Sequence, residues 1–125
     1  NGETCYLPVH RDQCHPVLGY RDVVASFIAL HEADPAALGT DRAYVLPSHR
    51  ISVSEALTLL EQVAEDQSLS LGMVVDEFDP VVQSIVDTWP TATDGSRALR
   101  LGVPEPKPVK DIIRDYIEDF LETPS

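Results

Sequence analysis

Positive charge is scarce in this sequence. Nine lysines and arginines stand against 21 aspartates and glutamates, a formal charge of −12 over 125 residues. That balance repels phosphate backbones and anionic lipid, so neither nucleic acid nor a membrane surface is an expected partner. Lysine occurs only at Lys107 and Lys110, and neither has a tyrosine four residues earlier, so a Tyr-x-x-x-Lys proton-transfer pair is missing. The six glycines, at 2, 19, 39, 72, 95 and 102, fall nowhere at the spacing of a G-x-G-x-x-G turn or a P-loop. There is no G-x-S-x-G elbow, and no apolar run approaches the ~18 residues of a membrane-spanning helix.

Cysteine and methionine are equally sparse. Cys5 and Cys14 are the only cysteines and no secretory leader precedes them, so reduced thiols in a cytoplasmic protein are expected rather than a disulfide scaffold. The single methionine is Met73, and Asn1 to Glu3 therefore read as the interior of a longer chain.

What is present suits one globular domain spanning 1–125, since 43% of residues are hydrophobic and a chain of this length buries roughly two thirds of its unfolded surface. Val23, Val24, Phe27, Ile28 and His31 recur at helical spacing between Tyr20 and Ala33, and Asp34-Pro35 ends them. His31 on that stripe reads as a half-buried core histidine. Before it, Cys5 to Leu18 carries Pro8 and Pro16 and reads as short extended pieces. Ala43 to Leu46 reads as a strand ended by proline.

Ser52 and Glu55 make a capping box for a helix with Val53, Ala56, Leu57, Leu60, Val63 and Ala64 inward. Leu71 to Val75 suits a strand. Asp79-Pro80 opens a helix whose buried side is expected to be Val81, Val82, Ile85, Val86 and Trp89. A short helix follows, with Asp94 as N-cap, Ala98, Leu99 and Leu101 as its apolar face, and Gly102 as its stop. Val109, Ile112, Ile113, Tyr116, Ile117, Phe120 and Leu121 form the clearest stripe, with Asp111, Asp115, Asp119 and Glu122 on a solvated polar side. The order predicts an α+β domain, mostly helical with a few short strands.

Chemistry-bearing clusters are few. Cys5, His10, Cys14 and His15 are of types that suit zinc, but adjacent Cys14 and His15 point to opposite faces of an extended segment, and no metal is expected. Arginine is the stronger lead. Seven of the nine basic residues are arginines, and a guanidinium fork beside an aromatic wall suits a carboxylate or phosphate. Trp89, Arg97 and Arg50 are the candidate substrate-binding residues: Trp89 as wall, Arg97 from the short helix, and Arg50 from the loop after the expected strand. The competing reading makes each arginine a surface residue or the partner of an aspartate, and Trp89 a core plug.

LPSHRISVSEALTLLEQVA, then FDPVVQSIVDTWPTATDGSRALRLGVP, then DIIRDYIEDF resembles the C-terminal part of the NAD-dependent epimerase/dehydratase family, the extended short-chain dehydrogenases, and within it the D-erythronate dehydrogenase-like branch. The likeness spans about Val17 to Phe120 and rests on the order of the motifs. It implies the smaller lobe that covers the cleft of a Rossmann domain and contacts substrate, here a sugar acid or nucleotide sugar. NAD or NADP and the catalytic pair would then belong to the partner domain, with no cofactor or catalytic residue in this chain. Trp89, Pro90, Asp94, Arg97 and Ala98 match the family pattern, whereas Gly19, Tyr20 and Arg21 stand where the family has Ser-Pro-Arg.

Two readings follow: a substrate-binding lobe of such an oxidoreductase, inactive on its own, or a free-standing non-catalytic ligand-binding or interaction module. On the first, an apolar face stripped of its partner domain is expected to drive self-association into a homo-oligomer.

Overall fold

Prolines keep the first two strands short. In the computed structural model, which describes residues 2–121, β1 (Cys5–Leu7) stops before Pro8 and β2 (Cys14–Val17) contains Pro16. Then follow α1 (Tyr20–Glu32), α2 (Pro35–Leu38), β3 (His49–Ser52), α3 (Val53–Asp66), β4 (Val74–Asp76), α4 (Pro80–Val86), α5 (Ser96–Leu99) and α6 (Val109–Phe120). Asn1 and Glu122 lie outside the described residues. The domain is α+β, with two separate two-stranded sheets: β1 pairs with β4 in parallel, Cys5 opposite Val74, and β2 pairs with β3 antiparallel, Cys14 opposite Ser52. No helix among the described residues is long and apolar enough to cross a membrane.

Caps fix two helices as the sequence predicts. Ser52 Oγ accepts from the Glu55 amide while the Glu55 carboxylate accepts from the Ser52 amide, which holds that carboxyl below its usual range. Asp79 accepts from the Val81 and Val82 amides ahead of Pro80. For α5 the cap moves by one residue: Gly95 occupies the N-cap position, and Asp94 accepts from the Ser96 amide at 3.0 Å. Gly95 is required there by space, because a Cβ would lie 2.2 Å from the Pro47 nitrogen. Gly102 ends the turn with φ +93°, as its position after the apolar face predicts.

The core is small: Ile51, Val63, Ala64, Val86, Ala98 and Val103 are the buried apolar residues among those described. α3 packs on α6 and on β3. The Asp22 carboxylate, itself buried, accepts from the Lys107 amide and ties α1 to the segment before α6. Arg21 reaches Asp115, Glu118 and Asp119 on α6, and Lys107 Nζ also reaches Asp115. Part of the acidic side of α6 thus pairs with Arg21 of α1, while Glu118 and Asp119 remain exposed and Asp111 pairs with Arg114 within α6.

Several expectations from periodicity are overturned. Ala43 to Leu46 is not a strand. Its carbonyls are partly taken by side chains, since Arg97 donates to the Ala43 carbonyl and Thr93 to that of Leu46. The strand expected at Leu71 begins three residues later, at Val74. Most significantly, Val24, Phe27 and Ile28 on α1 are 57%, 67% and 53% exposed, while Asp22 and Ser26 turn inward. On α4 the buried residues are Gln83 and Val86, and Val81, Ile85 and Trp89 stand in the open. His31 is exposed as well. Periodicity locates an apolar face but does not say whether the same chain covers it.

Candidate functional site

The structure separates the three arginine and tryptophan candidates. Arg97 is engaged by the segment 41–44: it donates to the Asp41 carboxylate and carbonyl and to the Ala43 carbonyl, and Nη2 lies 3.3 Å from the Tyr44 hydroxyl. Tyr44 in turn donates to the Leu38 carbonyl. The Ala43 amide and the Arg97 charge hold the Asp41 carboxyl below its usual range. Neither Trp89 nor Arg50 is among these partners.

Trp89 follows α4 and is half exposed, its ring set edge-on to His15 with centroids 6.1 Å apart. It is therefore not a core plug. Arg50 sits within β3 rather than in the preceding loop, opposite Pro16. Strand alternation places Arg50 and Pro16 on one face of this two-stranded sheet and His15 and Ile51 on the other.

Arg50 nevertheless borders a polar recess that the end of α4 also lines. The recess has a volume of about 330 Å³ and gathers Gln13, Cys14, Arg50, Gln83, Asp87 and Thr91. Gln83 organises it. Its buried amide donates to Gln13 Oε1 and Asp87 Oδ1 at 2.8 and 2.7 Å, and its carbonyl accepts from the His10 amide at 2.9 Å. The periodicity of α4 gave no signal for this residue, because a buried polar side chain sits where an apolar stripe is counted. Arg50 also borders a second recess of about 410 Å³ with His49, Ser54, Glu55, Thr58 and Val109, where its charge helps hold the Glu55 carboxyl below its usual range.

Among the described residues no three histidine, cysteine, aspartate or glutamate side chains gather to hold an ion. Cys5 lies in β1, whereas Cys14 and His15 lie in β2, in the other sheet.

Comparison with solved structures identifies the architecture. A nucleoside-diphosphate-sugar epimerase from Agrobacterium tumefaciens superposes with TM-score 0.83 at 24% identity, over 96% of this chain and 34% of that one. An L-threonine dehydrogenase from Clostridium difficile gives TM-score 0.75 at 21% identity, over 92% and 35%. The chain shares the fold of about a third of each of these proteins.

Sequence relatives place it more narrowly. D-erythronate dehydrogenase from Cupriavidus necator is 31% identical over 119 residues, and that from Haemophilus influenzae 28% over 118. These alignments take in 95% and 94% of this chain but 36% and 37% of the relatives, so the chain spans little more than a third of the length of the curated proteins it matches. It corresponds to the C-terminal part of the NAD-dependent epimerase/dehydratase proteins, on the D-erythronate dehydrogenase side. No family model matches it.

Proposed function

We propose that this chain is the substrate-side lobe of an NAD- or NADP-dependent oxidoreductase or epimerase acting on a sugar acid or nucleotide sugar, and that it works against a nucleotide-binding domain of Rossmann type. The observation that carries this reading is α1. A helix that turns Asp22 and Ser26 inward and leaves Val24, Phe27 and Ile28 in water has its apolar face made for another surface. The likeness to D-erythronate dehydrogenases supplies the class of that surface.

The residues of this chain do not make a dinucleotide site. No glycine-rich turn leads into a helix to receive the pyrophosphate, so the cofactor and the proton-transfer pair are assigned to the partner domain. Arg50 and Trp89 face the substrate in this scheme, and Arg97 shapes the neighbouring 41–44 segment.

Mixing the chain with the separately expressed nucleotide-binding part of the Cupriavidus necator D-erythronate dehydrogenase tests the reading. A stoichiometric complex is expected, with NAD reduction on adding D-erythronate, and neither half active alone. Two halves that sediment independently would favour a free-standing binding or interaction module, as would a source protein with a mass near 13.8 kDa.

A further inference from the structure

Resting on the reading above, we propose that the docking face of this lobe does not end at α1 but continues across Tyr20 onto Phe120 and Tyr116 of α6, so that the nucleotide-binding part covers the two helices as one apolar surface.

Spacing and contact make that surface continuous. Tyr20, Val24, Phe27 and Ile28 stand at i, i+4, i+7 and i+8, on one side of α1. The Tyr20 ring meets the Phe120 ring edge-on with centroids 5.5 Å apart, and Phe120 lies 5.1 Å from the Tyr116 ring, one turn back on α6. Tyr116 and Phe120 are 54% and 59% exposed, whereas Ile112, Ile113 and Ile117 of the same helix are half-buried. The apolar stripe of α6 is thus wider than the described residues cover, and its open part begins where the stripe of α1 ends.

Size argues for a folded domain as the occupant. These six side chains, with Leu121 next to Phe120, leave on the order of 700 Å² in water, close to the ~800 Å² per partner of a stable interface and more than a monomer ordinarily leaves bare. The alignments with the D-erythronate dehydrogenases take in 36% and 37% of those proteins, and the remainder is chain enough to bury a face of that extent.

Polar contacts fix the two helices to each other and set the character of the rim. The Tyr20 hydroxyl reaches the Asp119 carboxylate and the Asp115 carbonyl, and Arg21 pairs with Asp115, Glu118 and Asp119, so α1 and the end of α6 present their rings as one piece. Lys107 Nζ adds a second cation at Asp115. Three carboxylates against two cations leave one net negative charge, so the rim does not call for a strongly basic partner. A second copy of the chain brings its own formal charge of −12 and gains nothing there.

The test is calorimetric binding of the chain to the separately expressed nucleotide-binding part of the Cupriavidus necator D-erythronate dehydrogenase. Tyr116→Ser with Phe120→Ser is expected to weaken the complex about tenfold or more, as is Phe27→Ser with Ile28→Ser on α1. An unchanged far-UV spectrum checks that each variant is folded. Arg21→Ala should weaken binding by a smaller factor, because it frees α1 from α6 without removing a ring. Raising salt from about 0.1 M to about 0.5 M should change the affinity less than about threefold. An α6 pair that binds like wild type, beside an α1 pair that does not, would confine the docking face to α1 and overturn this inference while the proposed function stands. A steep loss of affinity with salt would mean a basic partner surface and overturn the apolar one. An α6 pair that abolishes self-association of the chain and leaves the complex intact would give the α6 aromatics to a second copy, again overturning it. A wild-type chain that forms no complex would overturn the proposed function, and this inference with it.

Discussion

The guanidinium carbon of Arg97 lies 4.2 Å from the centre of the Tyr44 ring, while two of its nitrogens bond to the Asp41 carboxylate and to the carbonyls of Asp41 and Ala43. A side chain from the short helix α5 thus fastens a segment more than fifty residues away in sequence, one that reads as a strand and is not.

Arg97→Ala removes a stacked cation and several hydrogen bonds at a half-exposed site. The expected loss is about 1–2 kcal/mol, read as a fall of several degrees in melting temperature. In the reconstituted enzyme the Michaelis constant for substrate should hold steady. A raised constant with an unchanged melting temperature would instead make Arg97 a substrate clamp.

Arg21 links α1 to α6 through Asp115, Glu118 and Asp119, and Tyr20 donates to Asp119 as well. Arg21 first, and Tyr20 second, hold the Asp119 carboxyl below its usual range. A depressed carboxyl contributes stability above its unfolded value of about 3.9, and that contribution fades as pH falls through the lower folded value. The melting temperature should accordingly be level from neutral pH to about pH 5 and drop in more acid solution. Arg21→Ala should lower it at neutral pH and reduce the acid drop. Parallel curves for the two proteins would remove Asp119 from the explanation.

Gly95 permits the close approach of residues 91–95 to Pro47, a contact completed by the hydrogen bond between Ser48 and Thr93 hydroxyls at 2.6 Å. Gly95→Ala places a methyl group against backbone, and a loss of about 1–3 kcal/mol is expected by chemical denaturation. An unchanged midpoint would mean that the two segments are not held together in solution.

The exposed stripe on α1 should make the isolated chain self-associate. Phe27→Ser with Ile28→Ser is expected to shift sedimentation toward monomer with little change in melting temperature, since both residues are more than half exposed. In the two-part mixture the same pair should weaken the complex. A wild-type chain that sediments as monomer at every concentration would count against this surface.

Several local signals were legible in the sequence, although the α5 cap fell one residue later than expected and α2 gave no signal that was read. Ser52 with Glu55, Asp79 with Pro80, and Gly102 after an apolar run each act through atoms a few residues apart, so the caps and the stop follow from residue chemistry alone. The arrangement of motifs from LPSHRIS to YIEDF likewise carries the likeness to the epimerase/dehydratase proteins, and the comparisons agree with it. Arg50 was legible as a candidate, but its surroundings were not. Gln83, Asp87 and Gln13 meet only because α4 comes against the segment that leads into β2, across some seventy residues of sequence.

The sequence by itself determined the caps at Ser52 and Asp79 and the stop at Gly102, which residues could carry charge or stack, and that no phosphate-binding turn is encoded, because each depends on neighbours along the chain. Tertiary structure alone decided that Arg97 closes on Tyr44, that α6 carboxylates meet Arg21, and that Val24, Phe27 and Ile28 of α1 and Val81 and Ile85 of α4 face water. An apolar stripe is written into a single helix by the spacing of its residues, whereas its burial depends on whatever packs against it, and for α1 that surface is not supplied by the described residues of this chain.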